Sequence, residues 1–118
     1  MPVWQMVMNI AEAAFNMTKN LPKSEDYGLI SQIRRAANSI PANIAEAFGR
    51  ESFKEKRHFY TIGKGSAYEL MSHVLYGKRV KYFDEKLVNE FNKEVSKLIF
   101  DMSKIIKSLR EKSNNPQP

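Results

Sequence analysis

Cysteine is absent from the 118 residues. That excludes disulfides and thiolate chemistry, and it suits the reducing cytoplasm, which is the expected location. Glycine and proline number only five each, and no strand-like alternation persists anywhere in the chain. No apolar run approaches the roughly 18 residues of a membrane span, so no membrane insertion is expected. The opening "MPVWQMVMNIAEAAF" lacks a basic leading region and is interrupted by Asn9 and Glu12, so it does not read as a signal peptide. Histidine occurs twice, as His58 and His73, without ligand spacing, and no metal is expected.

What remains is 42% hydrophobic and 27% charged, a balance of soluble globular chains, at a length of one domain. Formal net charge is +6 and the isoelectric point is near 9.6. The excess is uneven. Residues 1–50 hold five Lys/Arg against four Asp/Glu, residues 51–83 seven against three, and residues 84–118 seven against six. A basic balance permits contact with nucleic acid without requiring it.

The dominant signal is helical periodicity. Trp4, Val7, Met8, Ala11, Ala14, Phe15 and Thr18 follow steps of three and four. Pro22 then breaks the pattern, and Ser24 is a candidate cap for the next helix, with Glu25 and Asp26 suited to its positive N-terminus. A second stripe contains Leu29, Ile33, Ala36, Ala37, Ile40, Ile44, Ala47 and Phe48. It persists on both sides of Pro41, which predicts one helix kinked there. Gly49 is expected to stop it in a left-handed conformation. Ser52 and Glu55 fit a capping box for a third helix, whose seam reads Phe59, Ile62, Gly63, Ser66, Leu70 and Val74. Its glycines, Gly63 and Gly65, predict a close crossing against Ala36, Ala37, Ala45 and Ala47. With Asp84 as cap, a fourth helix carries Val88, Phe91, Val95, Leu98, Met102, Ile105 and Leu109, widened by Leu87, Ile99 and Ile106. The expectation is an all-α, up-down-up-down four-helix bundle over residues 1–112, with 113–118 as a disordered tail.

Two sets of polar residues stand out. Opposite the apolar face of the second helix run Gln32, Arg35, Ser39, Asn43, Glu46 and Arg50. Together with Ser66 and Glu69 they form either a buried polar network fixing helix packing or the lining of a ligand or RNA site; buried polar groups come in mutually bonded sets. The cations Lys54, Lys56, Arg57, Lys64, Lys78, Arg79 and Lys81 either contact phosphates or form a solvated face. Arg34, Arg35 and Arg50 are a second candidate cluster. Phe53, Tyr60, Tyr76 and Tyr82 are candidates for base stacking or for core. Gly63-Lys64-Gly65-Ser66 lacks the upstream glycine and preceding strand of a phosphate loop. Glu46 and Glu69 lack the Glu-x-x-His units of di-iron bundles. No cofactor and no enzymatic activity are expected.

The segments "LISQIRRAANSIPANIAEAFGR" and "TIGKGSAYEL" carry a resemblance. Gln32, Arg34, Arg35, Ala36, Ser39, Ile40, Asn43, Ile44, Ala45, Glu46, Gly49 and Arg50, followed by Gly65, Ser66, Glu69 and Leu70, are similar to the motif of the bacterial 23S rRNA intervening-sequence proteins. Ala47 departs from it, since that family usually has glycine after "AE". The resemblance implies a small non-enzymatic bundle that assembles into homopentamers. A related family, the accessory variability determinants of diversity-generating retroelements, implies a basic surface, nucleic-acid binding and a reverse-transcriptase partner. Three functions follow as expectations. The first is a homo-oligomer presenting a basic surface to RNA or DNA. The second is a protein-binding adaptor, and the third an enzyme or metal protein built in the bundle core. The first leads. Oligomerisation is also expected because Ile99, Ile106, Met6, Ile10 and Met17 fall outside single seams, where a lone bundle would leave them wet.

Overall fold

The computed structural model describes residues 2–114. Four helices account for most of them: α1 (Pro2–Thr18), α2 (Leu29–Phe48), α3 (Phe53–Arg79) and α4 (Glu85–Asn114), with a single 3-10 turn at Lys23–Glu25 between the first two. No strand occurs among the described residues. Each helix packs on its neighbours in sequence, and α1 closes on α4; α1 and α3, like α2 and α4, stand diagonally across the bundle. That cyclic order is the one short connections give an antiparallel bundle. The molecule measures 57 × 24 × 21 Å. Ser113 and Asn114, assigned to the tail by sequence, are the last turn of α4, and the rest of the expected tail lies outside the described residues.

Helix ends follow local chemistry. Ser52 Oγ accepts from the Glu55 N–H at 3.0 Å, and its hydroxyl lies 3.4 Å from the Glu55 carboxylate. Asp84 Oδ1 accepts from the Leu87 N–H at 2.8 Å. Ser24 does not cap α2. The cap position is Gly28, and the Glu25 carboxylate reaches forward to accept from the Leu29 N–H at 3.0 Å. Gly49 is not left-handed either (φ −81°, ψ −6°). The α2 carbonyls are met instead by the Gly49 and Arg50 N–H groups and by the Lys56 ammonium, 3.2 Å from the Ala47 oxygen, where a cation suits the negative end of the helix. The left-handed residue is Lys81, at φ 74°. Beside it the Tyr82 N–H donates to the Gly77 carbonyl (2.8 Å) and the Lys81 N–H to that of Lys78 (3.0 Å), the paired bonds of a Schellman stop.

The core collects one stripe from each helix. In α2 it is Leu29, Ile33, Ala36, Ala37, Ile40, Ile44 and Ala47, with Ile30 added, and the helix runs unbroken across Pro41. Packing on both flanks offsets the roughly 3 kcal/mol that an interior proline costs. Phe48, read as apolar face, is exposed. In α1 the buried line is Val7, Ile10, Ala14 and Thr18. Trp4, Met8, Ala11 and Phe15 run along its flank, so the sequence reading turned this helix too far toward α2. In α3 the buried stripe is Tyr60, Gly63, Ala67, Leu70, Val74 and Gly77, while Ile62 is exposed. In α4, Ile99 and Ile106 are buried and Ile105 is only half-buried. Most of the apolar surplus that argued for assembly is therefore absorbed within the chain. Ile10, Ile99 and Ile106 are core, and Met6 and Met17 pack against it. The large exposed apolar residues are others, among them Trp4, Leu87 and Phe100.

The glycines of α3 are not alike. A Cβ built on Gly63 would lie 2.9 Å from the Met102 methyl and 3.6 Å from Asn43 Cβ, so the close crossing is with Ile40 and Asn43 rather than with Ala45, which is exposed. Around Gly65 nothing lies within 4 Å. A Cβ on Gly77 would enter the buried Phe83 ring. Gly65→Ala is therefore expected to stabilise the protein by about 1 kcal/mol. Gly63→Ala should be near neutral, since the Met102 end can shift. Gly77→Ala should destabilise by about 1–3 kcal/mol from overpacking. Urea melts of the three variants test this order.

Candidate nucleic-acid interface

The face of α3 opposite its core stripe is Lys54, His58, Thr61, Gly65, Tyr68, Ser72, Leu75 and Arg79, at alternating steps of four and three, and every one is exposed. It contains no carboxylate. Arg57, Lys64 and Lys78, at steps of seven and fourteen, line one flank. The outward residues of α4 differ: Lys93, Lys97 and Lys104 alternate with Glu90, Glu94 and Asp101, and Lys97 lies 3.6 Å from Glu94.

The candidate cations divide by what they touch. Lys56 is held by the Ala47 carbonyl, and Lys78 reaches Glu85 at 3.5 Å. Arg34 ties α2 to α1: its Nε donates to the buried Thr18 hydroxyl at 2.9 Å, and its guanidinium lies 4.3 Å from the Phe15 ring centroid. Arg50 contacts Glu46 (2.9 Å) and Glu55 (3.9 Å) and stacks on Phe59. Among the described residues, no carboxylate lies within ion-pair distance of Lys54, Arg57, Lys64, Arg79 or Lys81. Of the candidate set, these five are the ones whose side chains have neither an ion pair nor a hydrogen bond among the described residues. Of the aromatic candidates, Tyr60 is core, Tyr82 is bonded to Glu25, and Phe53 lies beneath the Lys112 ammonium. Tyr76 is exposed, and so is Tyr68, which lies on the stripe itself and which periodicity alone did not single out.

The polar stripe of α2 resolves into three groups. Ser39 Oγ and Ser66 Oγ are 2.8 Å apart, and the Asn43 amide donates to the Ser39 carbonyl (2.8 Å) and hydroxyl (3.1 Å), all half-buried between α2 and α3. Arg35, its side chain 68% exposed, bonds Gln32 at 2.6 Å and lies 3.6 Å from Glu69, which also meets His73 at 3.0 Å. Glu46 pairs with Arg50. Glu46 and Glu69 thus face separate partners rather than each other, and among the described residues no group of His, Asp and Glu could hold a metal ion. Ala47, the departure from the motif, is fully buried.

A further contact joins the two turns at one end of the bundle. The Tyr82 hydroxyl donates to Glu25 Oε2 at 2.9 Å while Glu25 Oε1 accepts from the Leu29 N–H. The Leu29 bond first, then that of Tyr82, holds the Glu25 carboxyl below its ordinary value, and the same bond to Glu25 raises the Tyr82 phenol. A carboxylate with a lowered folded pKa stabilises above its unfolded pKa, about 4.3, and that contribution is lost as pH falls through the folded value. Glu25→Gln should therefore lower the midpoint of thermal unfolding at pH 7. The gap to the native protein should narrow as pH drops below about 4. A gap that is constant from pH 7 to pH 2 would contradict this role. No sequence pattern linked these residues, which are 57 positions apart.

On another side, an open groove of about 520 Å³ lies between α1 and α4. Met6, Ile10, Ala13, Leu87 and Phe91 form its floor and walls, and Glu90 and Glu94 its acidic rim. No helix of the described residues is long and apolar enough to cross a membrane.

A continuous bundle of four helices, with a half-buried serine–serine contact between the second and third and a carboxylate-free outer face on the third, defines the class: a small all-α four-helix bundle. The chain belongs to the 23S rRNA-intervening sequence protein family, which it matches over residues 1–106. Its fold is similar to the crystal structure of a protein of unknown function from the S23 ribosomal protein family of Bacteroides thetaiotaomicron, with a TM-score of 0.80 and 21% sequence identity over 89% of this chain and 98% of the other. Among proteins of curated function, none matches.

Proposed function

We propose that this is a non-enzymatic, cytoplasmic assembly protein whose homo-oligomer presents the outer face of α3 to RNA or DNA. One observation carries the reading: a 27-residue helix whose outward stripe lacks any carboxylate, with Lys54, Arg57, Lys64, Arg79 and Lys81 free of ion pairs among the described residues. Such a face attracts phosphates without reading sequence. Exposed Tyr68 and Tyr76 offer stacking surface. Repetition around a ring, five subunits by the family likeness, would bring several copies of the +4 excess of residues 51–83 within reach of one polyanion.

The apolar groove between α1 and α4 is the natural assembly face in this reading. It is not on α3, which lies across the bundle from α1, so assembly there leaves the basic stripe open. The same groove favours a second reading, an adaptor that binds a partner protein such as a polymerase or reverse transcriptase, its acidic rim selecting a basic helix. The two readings separate in one binding experiment. Titrating the purified protein with structured RNA and with duplex DNA at low salt should give weakly sequence-selective binding that falls steeply as salt rises. Absence of binding to both would leave the adaptor. Light scattering at micromolar concentration should give a multiple of 13.7 kDa, and a monomer mass would remove the ring.

A further inference from the structure

The cations of α4 are unevenly placed. Up to Asp101 its lysines alternate with carboxylates. Beyond it come Lys104, Lys107, Arg110 and Lys112 against a single carboxylate, Glu111. Lys104 lies over the Phe100 ring and Lys112 over that of Phe53. Lys107 and Arg110 are exposed, and among the described residues no carboxylate lies within ion-pair distance of either. The macrodipole favours a cation in the last turn of a helix. Lys112 stands there, but Lys107 and Arg110 lie further back.

These two residues are on the α3 side of α4. Leu87, Glu90 and Glu94 line the groove toward α1. Asp101 follows Glu94 at a step of seven, and Glu111 follows Glu90 at three such steps, so these carboxylates keep to the groove side. Ser96, Ser103 and Arg110, also seven apart, begin two residues beyond Glu94, about 200° round the helix, with Lys107 beside them. Two contacts fix the register against α3. The Met102 methyl lies 2.9 Å from the place of a Gly63 Cβ, and the Lys112 ammonium lies 5.6 Å from the Phe53 ring centroid. Residues 53–63 of α3 therefore run antiparallel beside residues 102–112 of α4, which sets Lys54 and Arg57 level with Lys107 and Arg110. Arg57 is on the α4 side of α3, three steps of seven before Lys78, which reaches Glu85 of α4.

Packed helices lie about 8–10 Å apart, and residues three apart on one helix are about 4.5 Å apart along it. The four cations thus share a patch about one Debye length across. Lys54 also stands in the first turn of α3, at the positive end of the helix dipole. Glu55, the acid of that turn, is engaged by Ser52 and Arg50. Like charge gathered in this way repels itself, and a bound polyanion relieves the repulsion. We infer that Lys54 and Arg57 of α3 and Lys107 and Arg110 of α4 form one phosphate-binding site at this end of the α3–α4 seam, which grips the backbone of the nucleic acid. A strand with one negative charge per about 3.4 Å of axis matches that density of cations. The inference rests on the nucleic-acid reading above and adds α4 to a surface that the reading confines to α3.

The test is fluorescence anisotropy of the whole protein with a labelled 16-base-pair DNA duplex over a series of salt concentrations, each variant being checked for native helicity by circular dichroism. Lys107→Gln/Arg110→Gln should lower affinity at low salt by about tenfold or more and flatten the slope of log affinity against log salt by about 1.8. Lys54→Gln/Arg57→Gln should do the same. Lys93→Gln/Lys97→Gln removes equal charge from α4 where Glu90, Glu94 and Asp101 are interleaved, and should do much less. Equal effects of the two α4 variants would overturn the inference and leave the α3 face in place. The unaltered protein gives an independent readout by NMR: the Lys107 and Arg110 amides should shift together with that of Arg57 as duplex is added. If those two hold still while Arg57 shifts, the site does not include α4. Failure of the duplex to bind the native protein would remove both the inference and the reading beneath it.

Discussion

Leu98→Ala is expected to lower the stability of the protein by about 2–5 kcal/mol in urea denaturation. Leu98 has no exposed surface and sits mid-length in α4 among Val95, Met102 and the facing stripes. Its truncation therefore removes buried area and leaves a cavity that close-packed neighbours cannot fill. The neighbouring isoleucines sharpen the test. Ile106 is 5% exposed and Ile105 only half-buried, so Ile106→Ala should cost more than Ile105→Ala, the reverse of what a strict heptad predicts. A Leu98→Ala loss below about 1 kcal/mol would show that the core of α4 is misassigned.

That reversal illustrates what was legible in the sequence. The existence, order and approximate ends of the helices follow from spacing, from the Ser52–Glu55 box and from Asp84, because each is a local rule acting within a few residues. Phase was less secure. On α1, Trp4 and Phe15 pull a periodicity reading toward themselves because they are large, yet the bundle buries smaller Val7, Ile10 and Ala14 and leaves the aromatic pair on the flank. On α3, spacing leaves Tyr60 open between base stacking and core, and its ring fills the core. The stops failed for a different reason: a glycine permits a left-handed turn without demanding one, so Gly49 stays right-handed while Lys81, paired to the Gly77 carbonyl through Tyr82, takes the strained conformation. Contacts between distant turns, Glu25 with Tyr82 and Thr18 with Arg34, leave no periodic trace at all. Of the candidate site, the cations were readable as a composition bias. Which of them are occupied by internal partners was not, since Lys56, Lys78, Arg34 and Arg50 are engaged by groups on other turns or helices.

Neutralising the free part of the basic set is expected to have the largest effect on function. Lys54→Gln, Arg57→Gln and Lys64→Gln combined should leave the helical content unchanged, because none of the three has an internal ion-pair partner among the described residues. If each contacts a phosphate, the slope of log affinity against log salt should flatten by up to about 2.7, and affinity for duplex at low salt should fall by two orders of magnitude or so. The control is Lys93→Gln, Lys97→Gln and Lys104→Gln, which removes the same charge from α4. There the carboxylates of Glu90, Glu94 and Asp101 already offset the lysines, so the loss should be much smaller. Equal losses from the two triple variants would mean that only net charge matters, and the α3 face would have no special role.

The claim that the outer face of α3 is the working surface is tested most directly by mapping the contact. Backbone amide chemical shifts followed by NMR while a 16-base-pair duplex is added report each residue separately. Thr61, Gly65, Ser72 and Arg79 should move together and saturate at one stoichiometry, while Asn9, Glu90 and Glu94 around the α1–α4 groove hold still. Shifts confined to the groove, with the α3 stripe unchanged, would contradict the account.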